Sequence, residues 1–258
     1  MNLNQKDEDL NLDLADKIGN LFQRLTKYSP YNLRAESLKF QFAKRPESFK
    51  KYDNVEKIKL PMPNLNRIIN INEIIKKRKS IREFSDKPIS LDDISYLCWF
   101  STGIQRIEHN FRFRTTPSAG ALYPIETYLV VNNVDNLEQG IYHYSILDYS
   151  LEIVKKGNFK EKMVMAALGQ EFCRSASIIF CHSAIFGRSI WKYSQRAFRY
   201  IYIEVGHIAQ NLSLAVAALN LGGCHIGAFF DDLINDIIGL DGENESILYL
   251  TPIGSLNH

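Results

Sequence analysis

Four short stretches of this chain carry residue types whose spacing could do chemistry. Arg78-Lys79-Ser80-Ile81-Arg82 offers two guanidiniums with a hydroxyl between them, a set able to hold a phosphate through charge-assisted hydrogen bonds. With Lys76 and Lys77 before it, the same run also serves the plainer purpose of complementing a helix C-terminus. Pro117-Ser118-Ala119-Gly120-Ala121-Leu122-Tyr123-Pro124 is a run of small residues between two prolines. Gly120 removes side-chain bulk, so backbone amides there could approach a flat ligand, and the prolines fix φ at each end. Taken alone, it is a tight turn feeding a strand. Trp191-Lys192-Tyr193 sets an ammonium beside a phenol. Lysine is usually a surface residue, but an ammonium lowers a neighbouring phenol's pKa and desolvation lowers the lysine's own. Either group could then remove a proton near neutral pH. Adjacent side chains point about 100° apart on a helix, so both reach one substrate only where the chain is irregular. The fourth stretch, Ile226-Gly227-Ala228-Phe229, reads by itself as a buried strand with a glycine.

The elements that must position these residues follow from periodicity. Ile71 to Lys79 predicts a helix, and Ser90-Leu91-Asp92-Asp93 reads as a capping box opening another that runs to Gly103. Strands are predicted over Thr127 to Val131, Gly140 to Tyr144, Leu151 to Val154, Ser177 to Cys181 and Ile247 to Ile253, and helices over Lys160 to Leu168 and Asp231 to Ile238. The strongest signal runs from Gln195 to Leu221, where Phe198, Ile201, Val205, Ile208, Leu212, Ala215 and Leu219 alternate steps of three and four. This long helix is apolar on more than one side, hence a central core helix or part of a dimer seam, with Gly222-Gly223 ending it. In the seam case, a charge at Val205 or Leu212 should cost both the dimer and the bound ligand. Gly206 within the helix predicts a close neighbour, and His207 reads as a satisfied core histidine. Strands and helices mix without βαβ alternation, which favours α+β. Residues 1 to 66 read as a polar tail and arm, with a short helix about Leu21, Phe22 and Leu25, and residues 67 to 258 as the main domain.

Composition narrows the function classes. A net charge of +2 gives no bulk drive toward nucleic acid or anionic membrane, and no uncharged run is long enough for a transmembrane helix. The polar, acidic N-terminal stretch is wrong for a signal peptide. Cys98, Cys173, Cys181 and Cys224 lack CxxC spacing and sit among apolar residues, so buried free thiols in a cytoplasmic protein, with no metal, are expected.

Arg114-Thr115-Thr116 followed by Pro117 to Pro124 resembles the signature of the SagB-type dehydrogenases, a branch of the FMN-dependent nitroreductase-like flavoproteins. Leu25 to Pro30 is similar to a segment that precedes such domains. The resemblance implies an α+β nitroreductase-like fold: a mixed, mostly antiparallel sheet flanked by helices, with a long central helix, assembled as a homodimer. It implies FMN, with Arg78, Lys79, Ser80 and Arg82 at the phosphate and ribityl chain. Pro117, Ser118, Ala119 and Gly120 would lie beside the isoalloxazine ring, often the partner's, and Gly227 and Ala228 at the flavin edge. Lys192 and Tyr193 become the catalytic pair, with either as the base. Ile253 to His258 lacks the basic segment many nitroreductases place after the last strand, which leaves Arg188, Arg196 or Arg199 as further phosphate candidates. The implied reaction is dehydrogenation of thiazolines or oxazolines in a ribosomally made precursor peptide, first heterocyclised by a partner cyclodehydratase. The alternatives are an NAD(P)H-dependent nitro or quinone reductase, and a flavin-bound scaffold subunit without turnover.

Overall fold

The computed structural model describes residues 17–29, 46–66 and 69–257. The polar tail, residues 1 to 16, and the part of the arm from residue 30 to residue 45 lie outside these. In chain order the elements are α1 (Ile18–Leu25), β1 (Lys57–Lys59), α2 (Ile71–Lys77), α3 (Leu91–Thr102), β2 (Ile104–Glu108), β3 (Phe111–Arg114), β4 (Ile125–Val131), β5 (Gly140–Ser145) and β6 (Ser150–Lys156). There follow α4 (Lys160–Ala166), α5 (Phe172–Ser175), β7 (Ile178–Ile185), α6 (Gly187–Tyr193), α7 (Ala197–Ala218), β8 (Leu221–Gly223), α8 (Asp231–Ile238) and β9 (Glu245–Ser255).

Seven strands form one sheet in the order β1-β6-β5-β4-β7-β9-β8, every pair antiparallel. All seven residues of β4 are buried, because helices cover both faces of the sheet's centre. On one face Leu129, Phe180 and Ile253 pack with Leu97 of α3 and Leu212 and Val216 of α7. On the other, Tyr128, Cys181 and Leu250 pack with Met163 of α4 and Ile234 and Ile238 of α8. The α+β architecture and the long central helix are those expected. The four cysteines are buried and free.

Local chemistry explains the boundaries. The Ser90 side chain accepts from the Asp93 amide as the N-cap of α3, and Asn70 caps α2 in the same way. The expected close of the long helix at Gly222-Gly223 is corrected. The helix ends at Ala218, Asn220 turns the chain with a φ of 58°, and Gly222 and Gly223 lie in β8. A Cβ at Gly222 would crowd the side chains of Leu256 at 2.7 Å and Ile81 at 3.0 Å. The β2–β3 hairpin is an addition, absent from the sequence-based element list. The arm is not merely laid on the surface: β1 joins the sheet by pairing with β6. Among the described residues no helix is long and apolar enough to cross a membrane.

Candidate active site

The loop from Pro117 to Pro124 and the Lys192–Tyr193 pair come together. Gly120 has a φ of 64°, and a Cβ built there would lie 2.6 Å from the Tyr193 hydroxyl and 2.9 Å from Lys192 Nζ. The irregularity needed for two adjacent side chains to reach one point is present. Helix α6 ends at Tyr193, and Ser194 takes a φ of 51° with a ψ of −142°, a conformation that costs energy for any residue but glycine. The loop is itself held in unusual geometry, with Ala121 and Tyr123 at φ of 51° and 50°.

Buried polar groups fix this corner from below. Arg188, in the helix that carries Lys192, donates to Glu126 at 2.5 Å, to the Tyr123 carbonyl at 3.2 Å and to the Glu47 carbonyl of the arm at 2.8 Å. The Arg114 amide donates to the Tyr123 hydroxyl at 3.1 Å, and its guanidinium reaches the Ile125 carbonyl. The Ser118 hydroxyl accepts from the Tyr123 amide at 2.9 Å and lines a cavity together with Glu204 of α7. Glu204 is buried and lines a cavity of about 250 Å³ with Pro117, Ser118, Ala119, Tyr200 and His207. Burial raises the Tyr193 phenol above its usual range, and the neighbouring Tyr200 adds to this. That direction is opposite to the lowering expected from the adjacent Lys192, and burial is its largest cause.

The second group forms around the end of α2. Lys76, Lys77, Arg78 and Lys79 line a cavity of about 430 Å³, faced by Ser213 and Val216 of α7, Gly223 of β8 and Thr251 of β9. Ser80 and Arg82 are exposed and not among its lining residues; the Arg82 guanidinium lies 6.0 Å from the centre of the Phe172 ring. None of the three further phosphate candidates lines this cavity either. Arg188 is spent on Glu126, Arg196 on the Thr26 carbonyl and the Tyr28 and Tyr200 rings, and Arg199 on Gln23. Gly227 and Ala228 are exposed after an isolated bridge from Ile226 to Leu250, not inside a buried strand. Among the described residues, Tyr249 is the only side chain within 4 Å of a Cβ built at Gly227.

Sequence reasoning missed several polar residues here. His225 Nε2 lies 2.6 Å from Ser213 Oγ and its Nδ1 2.8 Å from Thr251 Oγ1, so the imidazole links two groups that line the cation cavity. It stacks on Tyr249 with ring centres 5.2 Å apart. Burial, with Arg78 nearby, pushes its pKa down to about 4, so it stays neutral. Glu204 was also missed, although its place three residues after Ile201 and four before Ile208, both buried, marks it as a carboxyl on the core stripe. Gly206 and His207 are exposed, and among the described residues nothing lies within 4 Å of a Cβ at Gly206. The expected core histidine is thus corrected, since His207 lies on the surface of α7.

The two groups flank one open face of α7. Glu204 and Ser213 are nine residues, or two and a half turns, apart and point to opposite sides. Between them Tyr202, Ile203, Gly206 and Gln210 are exposed.

Residues 75–255 match the family model described as the nitroreductase family. The chain is 33% identical over 197 residues to MJ1384 of Methanocaldococcus jannaschii, a protein named as a nitroreductase, with 76% of this chain and 96% of that one covered. It is 28% identical over 152 residues to the microcin B17-processing protein McbC of Escherichia coli, covering 56% of this chain and 55% of McbC; it therefore spans about half the length of that relative. It also superposes with a TM-score of 0.61 on a chain of the Escherichia coli microcin synthetase McbBCD complex with truncated pro-MccB17 bound, at 26% identity over 80% of each chain.

Proposed function

This chain belongs to the nitroreductase family, and we propose that it is an FMN-dependent oxidoreductase that dehydrogenates thiazoline or oxazoline rings in a ribosomally made peptide. The observation that carries the reading is the convergence of Lys192 and Tyr193 on Gly120. The relatives point the same way, since McbC is named for microcin B17 processing.

The residues present suit FMN. Four adjacent cations, Lys76 to Lys79, and the Ser213 and Thr251 hydroxyls border one cavity, the donor set a phosphate needs. Its apolar wall, with Val216 and Leu221, suits a partly apolar cofactor. Arg78 and Lys79 would hold the phosphate, while Ser80 and Arg82 lie outside that lining set. FMN, when bound, supplies a two-electron acceptor.

The protein's own residues then handle the proton and the geometry. Loss of two hydrogens turns an azoline into an azole, and one of them leaves a ring carbon as a proton. Tyr193, its pKa raised, keeps its hydroxyl hydrogen and serves as a donor that orients the ring. Lys192 takes the proton. Gly120 leaves the space in which the ring meets both. The Lys–Tyr corner and the cation cavity lie on opposite sides of an exposed face of α7, so one ligand reaches both when a second copy covers that face. This supports a homodimer whose two sites each draw on both subunits, acting on a peptide delivered by a cyclodehydratase partner.

The test begins with the absorption spectrum of the purified protein, where a flavin band near about 450 nm is expected. Lys192→Ala should keep that band and leave an azoline-bearing peptide unoxidised. Conversion unchanged in Lys192→Ala would overturn the assignment. Rapid bleaching of the flavin by NAD(P)H under anaerobic conditions, with no azoline turnover, would move the protein to nitro or quinone reduction.

A further inference from the structure

His225 joins two hydroxyls of the cation cavity, and it uses both ring nitrogens to do so. Its Nε2 lies 2.6 Å from Ser213 Oγ on α7, and its Nδ1 lies 2.8 Å from Thr251 Oγ1 on β9. Ser213 and Thr251 line the cavity, while His225 stands behind them. We propose that His225 is a positioning residue: it takes the Thr251 hydrogen on Nδ1, donates Nε2–H to Ser213, and so turns the Ser213 hydroxyl hydrogen into the cavity as a donor to a phosphate oxygen. This rests on the flavin part of the proposed reading and not on the reaction assigned to it.

The direction of this relay follows from counting hydrogens. A neutral imidazole has one N–H and one accepting nitrogen, so one hydroxyl donates to the ring and the other accepts from it. Thr251 is only 2% exposed, and among the described residues His225 is the one hydrogen-bond partner of its hydroxyl. A hydrogen on Nδ1 would leave the buried Thr251 hydroxyl without an acceptor in the protein, which is costly. With Thr251 donating to Nδ1, the ring hydrogen sits on Nε2 and Ser213 accepts it. Ser213 is half-buried, and among the described residues its hydroxyl has no second partner. Its own hydrogen therefore stays available to a ligand.

The cavity calls for an anion to accept that hydrogen. Lys76, Lys77, Arg78 and Lys79 line it, and no carboxylate is among its described lining residues. Ammonium and guanidinium groups are donors only, so the acceptor must arrive with the ligand. The imidazole is held from its other side by Tyr249, with ring centres 5.2 Å apart and planes 20° from parallel. A turn of the ring would give up that stack together with both hydroxyl contacts. The low pKa of His225, about 4, agrees with a neutral ring. An unperturbed histidine is also mostly neutral at pH 8. A hydroxyl fixed in this way makes a charge-assisted hydrogen bond to phosphate, which adds about tenfold or more to affinity.

The experiment is an equilibrium titration of the full chain with FMN and with riboflavin, which lacks the phosphate, read by flavin fluorescence. Wild type should bind FMN more tightly than riboflavin by at least about tenfold. Ser213→Ala should lose about tenfold or more of the FMN affinity and keep its affinity for riboflavin. His225→Phe keeps a ring on Tyr249 but removes both nitrogens, and should lose about threefold or more for FMN alone. Added to Ser213→Ala it should cost FMN binding nothing further, because it acts through that hydroxyl. Additive losses, or equal losses for FMN and riboflavin, mark a merely structural role and overturn the proposal, as does a wild type without preference for FMN. Should His225→Phe fail to fold, the nitrogen-15 spectrum of the wild-type ring decides: hydrogen on Nε2 retains the proposal and hydrogen on Nδ1 rejects it. A chain that binds FMN through Ser213 but oxidises no azoline sinks the proposed reaction and leaves the relay standing. FMN bound alike by wild type and both single variants sinks the relay and leaves the flavin reading.

Discussion

At Gly120 the backbone and the candidate chemistry constrain each other. Its φ of 64° is easy for glycine and costs an alanine about 1–2 kcal/mol. An added methyl would also press on the Tyr193 hydroxyl and Lys192 Nζ, both ends of side chains that can move. Gly120→Ala is therefore expected to fold, with the melting temperature lowered by about 2–8 °C, and to displace the pair. Flavin content should persist while turnover falls at least about tenfold, because misplacement of reacting groups costs more in rate than in binding. Thermal denaturation and single-turnover kinetics on one preparation check both parts. The small-residue loop and the Lys-Tyr pair were legible in the sequence because each is a local run. Their meeting was not, since it depends on Ser194 taking a φ of 51°, and serine carries no sign of that. Nor was the raised Tyr193 pKa legible, because it comes first from burial and then from the nearby Tyr200, both fixed by the folded chain.

At the level of the element, α7 shows what periodicity conveys and what it omits. The alternating steps of three and four located a 22-residue helix to within a few residues. They could not separate the face used by the chain's own core from the face left over. Val205 and Leu212, the positions a dimer seam was expected to use, are buried within this chain among Ile201 and Ile208 and against the sheet. A charge at either should unfold the subunit and says nothing about assembly. The leftover apolar surface is Tyr202 and Ile203, each about half exposed, beside Gly206. Under the shared-site proposal, Ile203→Glu should give a folded monomer by size-exclusion chromatography, with flavin lost in step with the dimer. A yellow monomer would refute shared sites. The β2–β3 hairpin escaped sequence reasoning for a different reason. Its turn at His109 and Asn110 uses φ of 48° and 66° without the glycine that usually announces such a turn; β2 sets Gln105 and Arg106 side by side in place of a clean alternation, and the alternating β3 is only four residues long.

Across the whole molecule, the arm is tied to the sheet by two lysines, and from one of them, Lys57, a row of charges runs to the candidate site. Lys50 pairs with Glu245 at 2.5 Å and Lys57 with Glu152 at 2.8 Å. Glu152 meets His143 at 2.7 Å, His143 meets Glu126 at 3.0 Å, and Glu126 holds Arg188 of α6 at 2.5 Å. Burial alone would raise Glu126, but its bonds to His143 and Arg188 bring it down to about 2. A carboxylate depressed in this way gives stability that is present above its ordinary pKa of 4.5 and lost as pH falls toward about 2. The difference corresponds to about 3 kcal/mol. Two substitutions separate the arm's own pair from the end of the row at the site. Lys50→Met strands Glu245 beneath the arm and should cost about 3 kcal/mol in urea unfolding. It leaves Arg188 on Glu126, so turnover at moderate temperature should change little. Glu126→Gln should cost a similar amount near neutral pH and flatten the loss of stability below about pH 4. It also frees Arg188, and with it the helix that presents Lys192 and Tyr193, so turnover should fall together with stability. Equal effects of the two variants on turnover would mean that the arm and the site are not separable through this network, and that Arg188 does not set the position of the Lys–Tyr corner.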